Sequence, residues 1–293
     1  MKTKELFKEK TVFSYEVFPP KKTSGPQSIY KTLEELKSLS PDCISVTYGA
    51  GGGDNNDESF KIAQTIKGYG IESIAHLPCI GMTKADLEEK LEELQALQVE
   101  NILALRGDLP ADDYAPGDFS YASDMVRFIK DKGDFNVVAA CYPEGHIDCK
   151  DKVQDIKHLK TKVDAGVDQL ITQLFLDNND FYAFRERCEL ADINVPIEAG
   201  IMPVVNKRQI ERMTSLCGVK LPDKFVKMMD RYQDKPVAMR DAGIAYAVNQ
   251  IVDLISQGVD GIHLYTMNNP YIAKKIHEAV HNLLLKKRHF LAT

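Results

Sequence analysis

Short apolar runs of strand length alternate with longer stretches of helical period along the chain. Val12–Phe18 (VFSYEVF) has a period of two: Val12, Ser14, Glu16 and Phe18 share one face, Phe13, Tyr15 and Val17 the other, and Pro19-Pro20 ends the run. Ser28–Ser40 carries Ile29, Leu33, Leu36 and Leu39 on one stripe, which predicts a helix. The same alternation predicts strands at Cys43–Tyr48, Ser73–Leu77, Asn101–Asp108, Asn136–Tyr142, Gln169–Leu176, Pro196–Val204 and Gly261–Thr266. Between and after them, helices are predicted at Asp57–Lys67, Thr83–Gln98, Tyr121–Lys132, Asp151–Ala165, Asp180–Ala191, Lys207–Leu216, Pro236–Gln257 and Pro270–Lys286. Thr83, with Asp86 three residues on, reads as a helix N-cap. Leu221–Gln233 is a detour before the longest helix.

Regular strand–helix alternation implies a parallel sheet. Eight such units in 293 residues fit a closed (β/α)8 TIM barrel better than an open sheet. No linker or shift in composition divides the chain, so residues 1–293 are expected to form a single barrel domain. In a barrel the site lies at the C-terminal ends of the strands. There the pattern places Glu16, Thr47, His76, Arg106, Asp108, Tyr142, Gln173, Tyr265 and Asn268.

The net charge of −6 and a pI near 5.7 argue against nucleic acid or an anionic membrane as the main partner. No apolar run approaches the ~20 residues of a membrane span. The first ten residues, MKTKELFKEK, lack the apolar centre of a signal peptide. Six scattered cysteines with no CxxC are the usage of a reducing compartment, so a cytoplasmic location is expected.

Several motifs leave alternatives open. The fourth strand ends in Arg106-Gly107-Asp108: a site that aims a guanidinium and a carboxylate the same way, or a turn with a surface ion pair. GAGGGD at 49–54 is neither GxGxxG nor a P-loop; it allows close backbone approach or is simply a loop. His76-Leu-Pro-Cys79 and His146-Ile-Asp-Cys149 could be drawn as a zinc site, but both border strands rather than short knuckles, and no metal is expected. Glu16, if walled by apolar neighbours, would have a raised pKa suited to a general acid; the alternative is an interior Glu paired with a base. Asp155, His158 and Lys162 fall near one helix face, either solvated or reaching a cofactor phosphate. No strand ends in a lysine placed for a Schiff base.

The stretches FSYEVFPPK, SVTYGAGG, HLPC, LALRGD, YASDMV, AACYPEGH, LKTKVDAG, LITQLF, GIMPV and HLYTMN, in this order, resemble the methylenetetrahydrofolate reductase family over nearly the whole chain. The resemblance implies a cytoplasmic flavoprotein of one-carbon metabolism and methionine biosynthesis in its short bacterial form. It implies non-covalent FAD, NADH or NADPH as co-substrate, and a folate substrate. The implied reaction is ping-pong: 5,10-methylenetetrahydrofolate opens to an iminium and is reduced to 5-methyltetrahydrofolate in the site that NAD(P)H has left. Glu16 is implied as the general acid, and Asp108 as a carboxylate beside the flavin that also meets the pterin and lowers the flavin potential. Thr47, Tyr48, Ala50, His76, Arg106, Gly107, Asp108, Ala122, Tyr142, His146, Asp155 and Lys162 match cofactor-binding positions. Gln173, Gln209 and Asn269 match substrate-binding ones. The choice of NADH or NADPH and the oligomeric state, a homo-oligomer included, stay open.

The chain departs from the family's pattern at Asn269, often Arg, at Met213, which can be aromatic, and at Thr161, commonly basic. Two rival functions fit the barrel: a flavin-free pterin-binding enzyme such as a folate-dependent methyltransferase, and a non-catalytic folate- or flavin-binding subunit.

Overall fold

In the computed structural model, which describes residues 1–20, 25, 27–48, 56–107 and 117–284, eight parallel strands close into a barrel. They are β1 (Val12–Val17), β2 (Cys43–Val46), β3 (Glu72–Pro78), β4 (Asn101–Leu105), β5 (Asn136–Cys141), β6 (Gln169–Thr172), β7 (Ile197–Ile201) and β8 (Gly261–Tyr265). Each pairs with the next, and β8 returns to β1 with Val12 opposite Gly261 and Glu16 opposite Tyr265. The helices are α1 (Gln27–Lys37), α2 (Asn56–Gly68), α3 (Lys84–Ala96), α4 (Ala122–Lys132), α5 (Lys152–Asp164), α6 (Asn178–Leu190), α7 (Lys207–Cys217), α8 (Asp223–Tyr232), α9 (Pro236–Ser256) and α10 (Pro270–Val280). This is the (β/α)8 architecture the alternation predicts, with α8 as an extra helix where the detour stood. Phe225 and Met229, four residues apart on α8, are buried in a satellite cluster with Leu174, Leu176 and Met202.

The period of two holds in detail on β1. Phe13, Tyr15 and Val17 pack outward into the strand–helix core, while Ser14 and Glu16 meet residues of other strands inside the barrel. Thr83 caps α3 through the Asp86 N–H, and the Asp86 carboxylate accepts from the Thr83 N–H, so the expected N-cap is a full capping box.

The N-terminal residues do more than the charged decapeptide suggests. A 3-10 helix, Thr3–Lys8, closes the N-terminal end of the barrel. Phe7 packs with Ile74, Leu103, Val138 and Ile171, and Thr3 hydrogen-bonds Asn101 and Gln169. No helix among the described residues is long and apolar enough to cross a membrane.

Candidate active site at the barrel mouth

Glu16, the last inward-facing residue of β1, places its carboxylate between two imidazoles: His76 Nε2 of β3 at 3.6 Å and His263 Nε2 of β8 at 3.5 Å. Its side chain keeps 19% of its accessible surface. The walls are therefore polar, and the expected rise in its pKa is corrected. Burial pushes the carboxyl up, but the His263 imidazole, His76 and the Ser45 hydroxyl outweigh it, and the balance lies below the usual carboxylate value. Period-two reading of β1 alone cannot show what stands across the barrel. His76 is buried deeply enough that its pKa falls to about 4, against the pull of Glu16, so it is neutral at neutral pH.

At the same mouth, at the ends of β4 and β5, lies a cavity of about 810 Å³. Six of the expected cofactor residues line it: Arg106, Ala122, Tyr142, His146, Asp155 and Lys162. Four elements place them: Arg106 follows β4, Ala122 opens α4, Tyr142 and His146 follow β5, and Asp155 and Lys162 lie on α5. Lys162 Nζ, on α5, donates to the Ala140 carbonyl at 2.7 Å and lies 6.0 Å from the Tyr142 ring centroid. The Tyr142 and His146 rings meet edge to face, 4.6 Å apart. Burial lowers the Lys162 pKa and raises that of Asp155, which the Lys162 charge partly offsets. Burial also lowers the His146 pKa.

Arg106 is inside the site by a route other than strand alternation. Pairing in β4 ends at Leu105, and Gly107 adopts φ +89°, so the two-residue period stops before Arg106. A Cβ on Gly107 would come within 2.8 Å of Ile80 Cγ2. Arg106 is fixed by its carbonyl, which accepts from the Ile80 N–H at 2.8 Å, and its guanidinium reaches Asp148 at 3.1 Å. Asp108, Ala50 and the 49–54 loop lie outside the described residues.

The remaining expected residues surround the same mouth. Thr47 and Tyr48 follow β2, and the Tyr48 ring packs 5.7 Å from Phe60. Gln173 follows β6, which stops at Thr172 rather than running to Leu176; its side-chain oxygen accepts from the Leu174 N–H. Gln209 sits in the first turn of α7, where its N–H is capped by Asn206. Asn269 caps α10: its Oδ1 accepts from the Ile272 N–H at 3.3 Å, which leaves its amide NH2 for any ligand. His76-Leu-Pro-Cys79 and His146-Ile-Asp-Cys149 stay apart as well: the Cys79 thiol donates to the Arg106 carbonyl and that of Cys149 to Asp151. Among the described residues no three His, Cys, Asp or Glu side chains are grouped to hold a metal.

Three participants escaped the sequence reading. His263 touches Glu16, Ser14 touches His263, and Glu198 on β7 touches Ser14, all fully buried. A signal existed, since Glu198 and His263 sit in otherwise apolar strands. Asn268 was expected at the mouth, and there it clamps the end of β1 by bonding both the N–H and the carbonyl of Phe18.

Comparison with known proteins agrees with this geometry. The family model described as methylenetetrahydrofolate reductase matches residues 2–281. The 5,10-methylenetetrahydrofolate reductase of Escherichia coli (strain K12) is 36% identical over 256 residues, covering 87% of this chain and 86% of that protein. That of Pectobacterium carotovorum subsp. carotovorum is 35% identical over 264 residues, 90% of this chain and 88% of the relative. Methylenetetrahydrofolate reductase (NADH) 1 of Arabidopsis thaliana is 34% identical over 274 residues, 88% of this chain but 46% of that longer protein. Among solved structures, an uncharacterized protein from Clostridium thermocellum that binds two copies of 5-methyl-5,6,7,8-tetrahydrofolic acid superposes with a TM-score of 0.64. It is 16% identical, with 96% of this chain and 98% of that one covered, and shares the fold.

Proposed function

Because the chain belongs to the methylenetetrahydrofolate reductase family, we propose that it reduces 5,10-methylenetetrahydrofolate to 5-methyltetrahydrofolate with NADH or NADPH as donor and FAD held at the barrel mouth. The observation that carries this reading is that one barrel mouth holds both Glu16, between its two imidazoles, and the cavity lined by Arg106, Ala122, Tyr142, His146, Asp155 and Lys162.

The residues present fit the cofactor. Thr47 Oγ1 and His76 Nε2 are buried polar atoms without a hydrogen-bond partner among the described residues, as groups reserved for a ligand would be. Lys162 carries a desolvated ammonium and Arg106 a guanidinium at the cavity wall, both suited to phosphate oxygens. FAD bound there would supply a hydride carrier that nicotinamide and folate use in turn. Asp108 joins the proposal through the family resemblance, as the charge beside the flavin ring.

Glu16 has the proton-transfer role. Folate seated over the mouth removes the water that still reaches its carboxylate, which raises its pKa from the low resting value. It then protonates the ring nitrogen released as the imidazolidine opens. Gln173 and Gln209 flank the mouth as folate contacts. Titration of the purified protein with FAD tests the reading: a bound flavin spectrum, weakened in Lys162→Ala, is expected, and protein that stays colourless in excess FAD would contradict it.

A further inference from the structure

Behind Glu16 a chain of buried polar groups runs toward the closed end of the barrel. His263 Nε2 is 3.5 Å from Glu16 Oε2, and His263 Nδ1 is 2.7 Å from Ser14 Oγ. Ser14 Oγ is 2.5 Å from Glu198 Oε2, and the other oxygen of Glu198 accepts from Gln169 Nε2 at 3.2 Å. Ser14, His263 and Glu198 have no accessible surface. The backbone makes room for the last member: a Cβ on Gly261 would stand 2.8 Å from Glu198 Cγ. A carboxylate placed only for packing would not be expected here, because burying an ion costs several kcal/mol unless it is paired, and among the described residues no Lys or Arg meets it. Beyond Ser14 and Gln169, the titratable groups acting on it are His263, the Cys43 thiol of β2, and Asp42 and Asp260 at the strand N-terminal ends.

Resting on the reading of Glu16 as the folate acid, we propose that Glu198 is a buried proton store that recharges Glu16 through Ser14 and His263. With the proton on Glu198, the carboxyl donates to Ser14 Oγ, the Ser14 hydroxyl donates to His263 Nδ1, and His263 Nε2–H faces the Glu16 carboxylate. Shifting one proton along each link leaves Glu198 ionised and accepting from Ser14, Ser14 accepting from His263 Nδ1–H, and Glu16 protonated. Three O–H or N–H bonds break and three form, and no heavy atom changes partner. The wire runs in reverse when the mouth reopens, and solvent reprotonates Glu198 by way of Glu16. Burial first, then Asp42 and Asp260, hold the Glu198 pKa at about 7 against His263 and Ser14, whereas Glu16 sits low, so the resting proton belongs on Glu198 near neutrality. Glu198 is thus a positioning residue for the proton and does not touch folate.

The test is the pH profile of the folate half-reaction in the FAD-loaded enzyme, with flavin reduction by NAD(P)H as the measure of intact protein. In the wild type the folate step should slow as pH rises through about 7. Glu198→Gln should lose that limb and run on the order of 10-fold slower at neutral pH. Ser14→Ala should do the same, and Ser14→Thr, which keeps a hydroxyl, should recover the wild-type profile. If Glu198→Gln fails to fold, the Ser14 pair carries the test together with infrared spectroscopy of the wild type. A carboxylic-acid carbonyl band that titrates near neutrality, unexchanged by solvent changes at the mouth, is expected from Glu198; its absence overturns the store. Unchanged profiles in Glu198→Gln and Ser14→Ala, with the folate step still selectively lost in Glu16→Gln, overturn the relay alone. Equal loss of both half-reactions in Glu16→Gln would instead overturn the reading beneath it.

Discussion

The carboxylate of Glu16 on β1 and the imidazole of His76 on β3, 3.6 Å apart with β2 between their strands, are held in opposite charge habits: the acid is ionised and the base is neutral. The pair is therefore a carboxylate beside a neutral imidazole rather than a salt bridge.

If Glu16 serves only the folate step, Glu16→Gln should leave flavin reduction by NAD(P)H nearly intact and slow reduction of 5,10-methylenetetrahydrofolate by about 10²–10⁴-fold. Stopped-flow absorbance of each half-reaction measures this. Equal losses in both would make Glu16 structural.

Neutral His76 has a consequence for acid stability. In the unfolded chain the imidazole gains a proton below about pH 6.5, but in the fold only below about 4. Between those values the unfolded state binds the extra proton, so stability falls as pH drops through that window, by about 3 kcal/mol in all. Denaturant unfolding at pH 7 and at pH 4.5 should show a smaller acid loss in His76→Gln than in the wild type; parallel losses would refute it.

Much of this architecture was legible beforehand. The period of two on β1 put Ser14 and Glu16 inside and Phe13, Tyr15 and Val17 outside, as found. The i, i+7 relation of Asp155 and Lys162 put both near one helix face, and in the structure both line the cavity. What alternation could not supply was partnership across the barrel: whether Glu16 faces apolar side chains or His76 and His263 depends on strands far away in sequence. Nor could it show that Arg106 is placed by the Ile80 N–H and the left-handed turn at Gly107. The Thr3–Lys8 plug was hidden because its charged residues face outward while Thr3 and Phe7 are buried.

Gly243 lies inside α9, where glycine ordinarily costs about 1 kcal/mol relative to alanine. Close packing accounts for it: a Cβ there would fall 1.6 Å from the Val204 carbonyl oxygen. Gly243→Ala should therefore destabilise the protein by about 3 kcal/mol, since backbone rather than a flexible side chain must move. Thermal unfolding decides this, and a stabilised variant would contradict the packing account.

Asn269 has two separable duties, the α10 cap seen in the structure and the proposed folate contact. Asn269→Ser retains a capping oxygen and removes the amide donor. Stability should change by no more than about 0.5 kcal/mol, while the folate KM should rise several-fold, the usual worth of one lost hydrogen bond. An unchanged KM would confine Asn269 to capping.

The proposed function requires one mouth to pass reducing equivalents from NAD(P)H to methylenetetrahydrofolate through bound FAD. Its most direct test is the visible spectrum of the FAD-loaded protein followed anaerobically through two additions. The oxidised flavin band should bleach on adding NADH or NADPH. It should return on adding 5,10-methylenetetrahydrofolate, with 5-methyltetrahydrofolate formed in equal amount. A band that does not bleach, or one that stays bleached in the presence of the folate, would contradict the account.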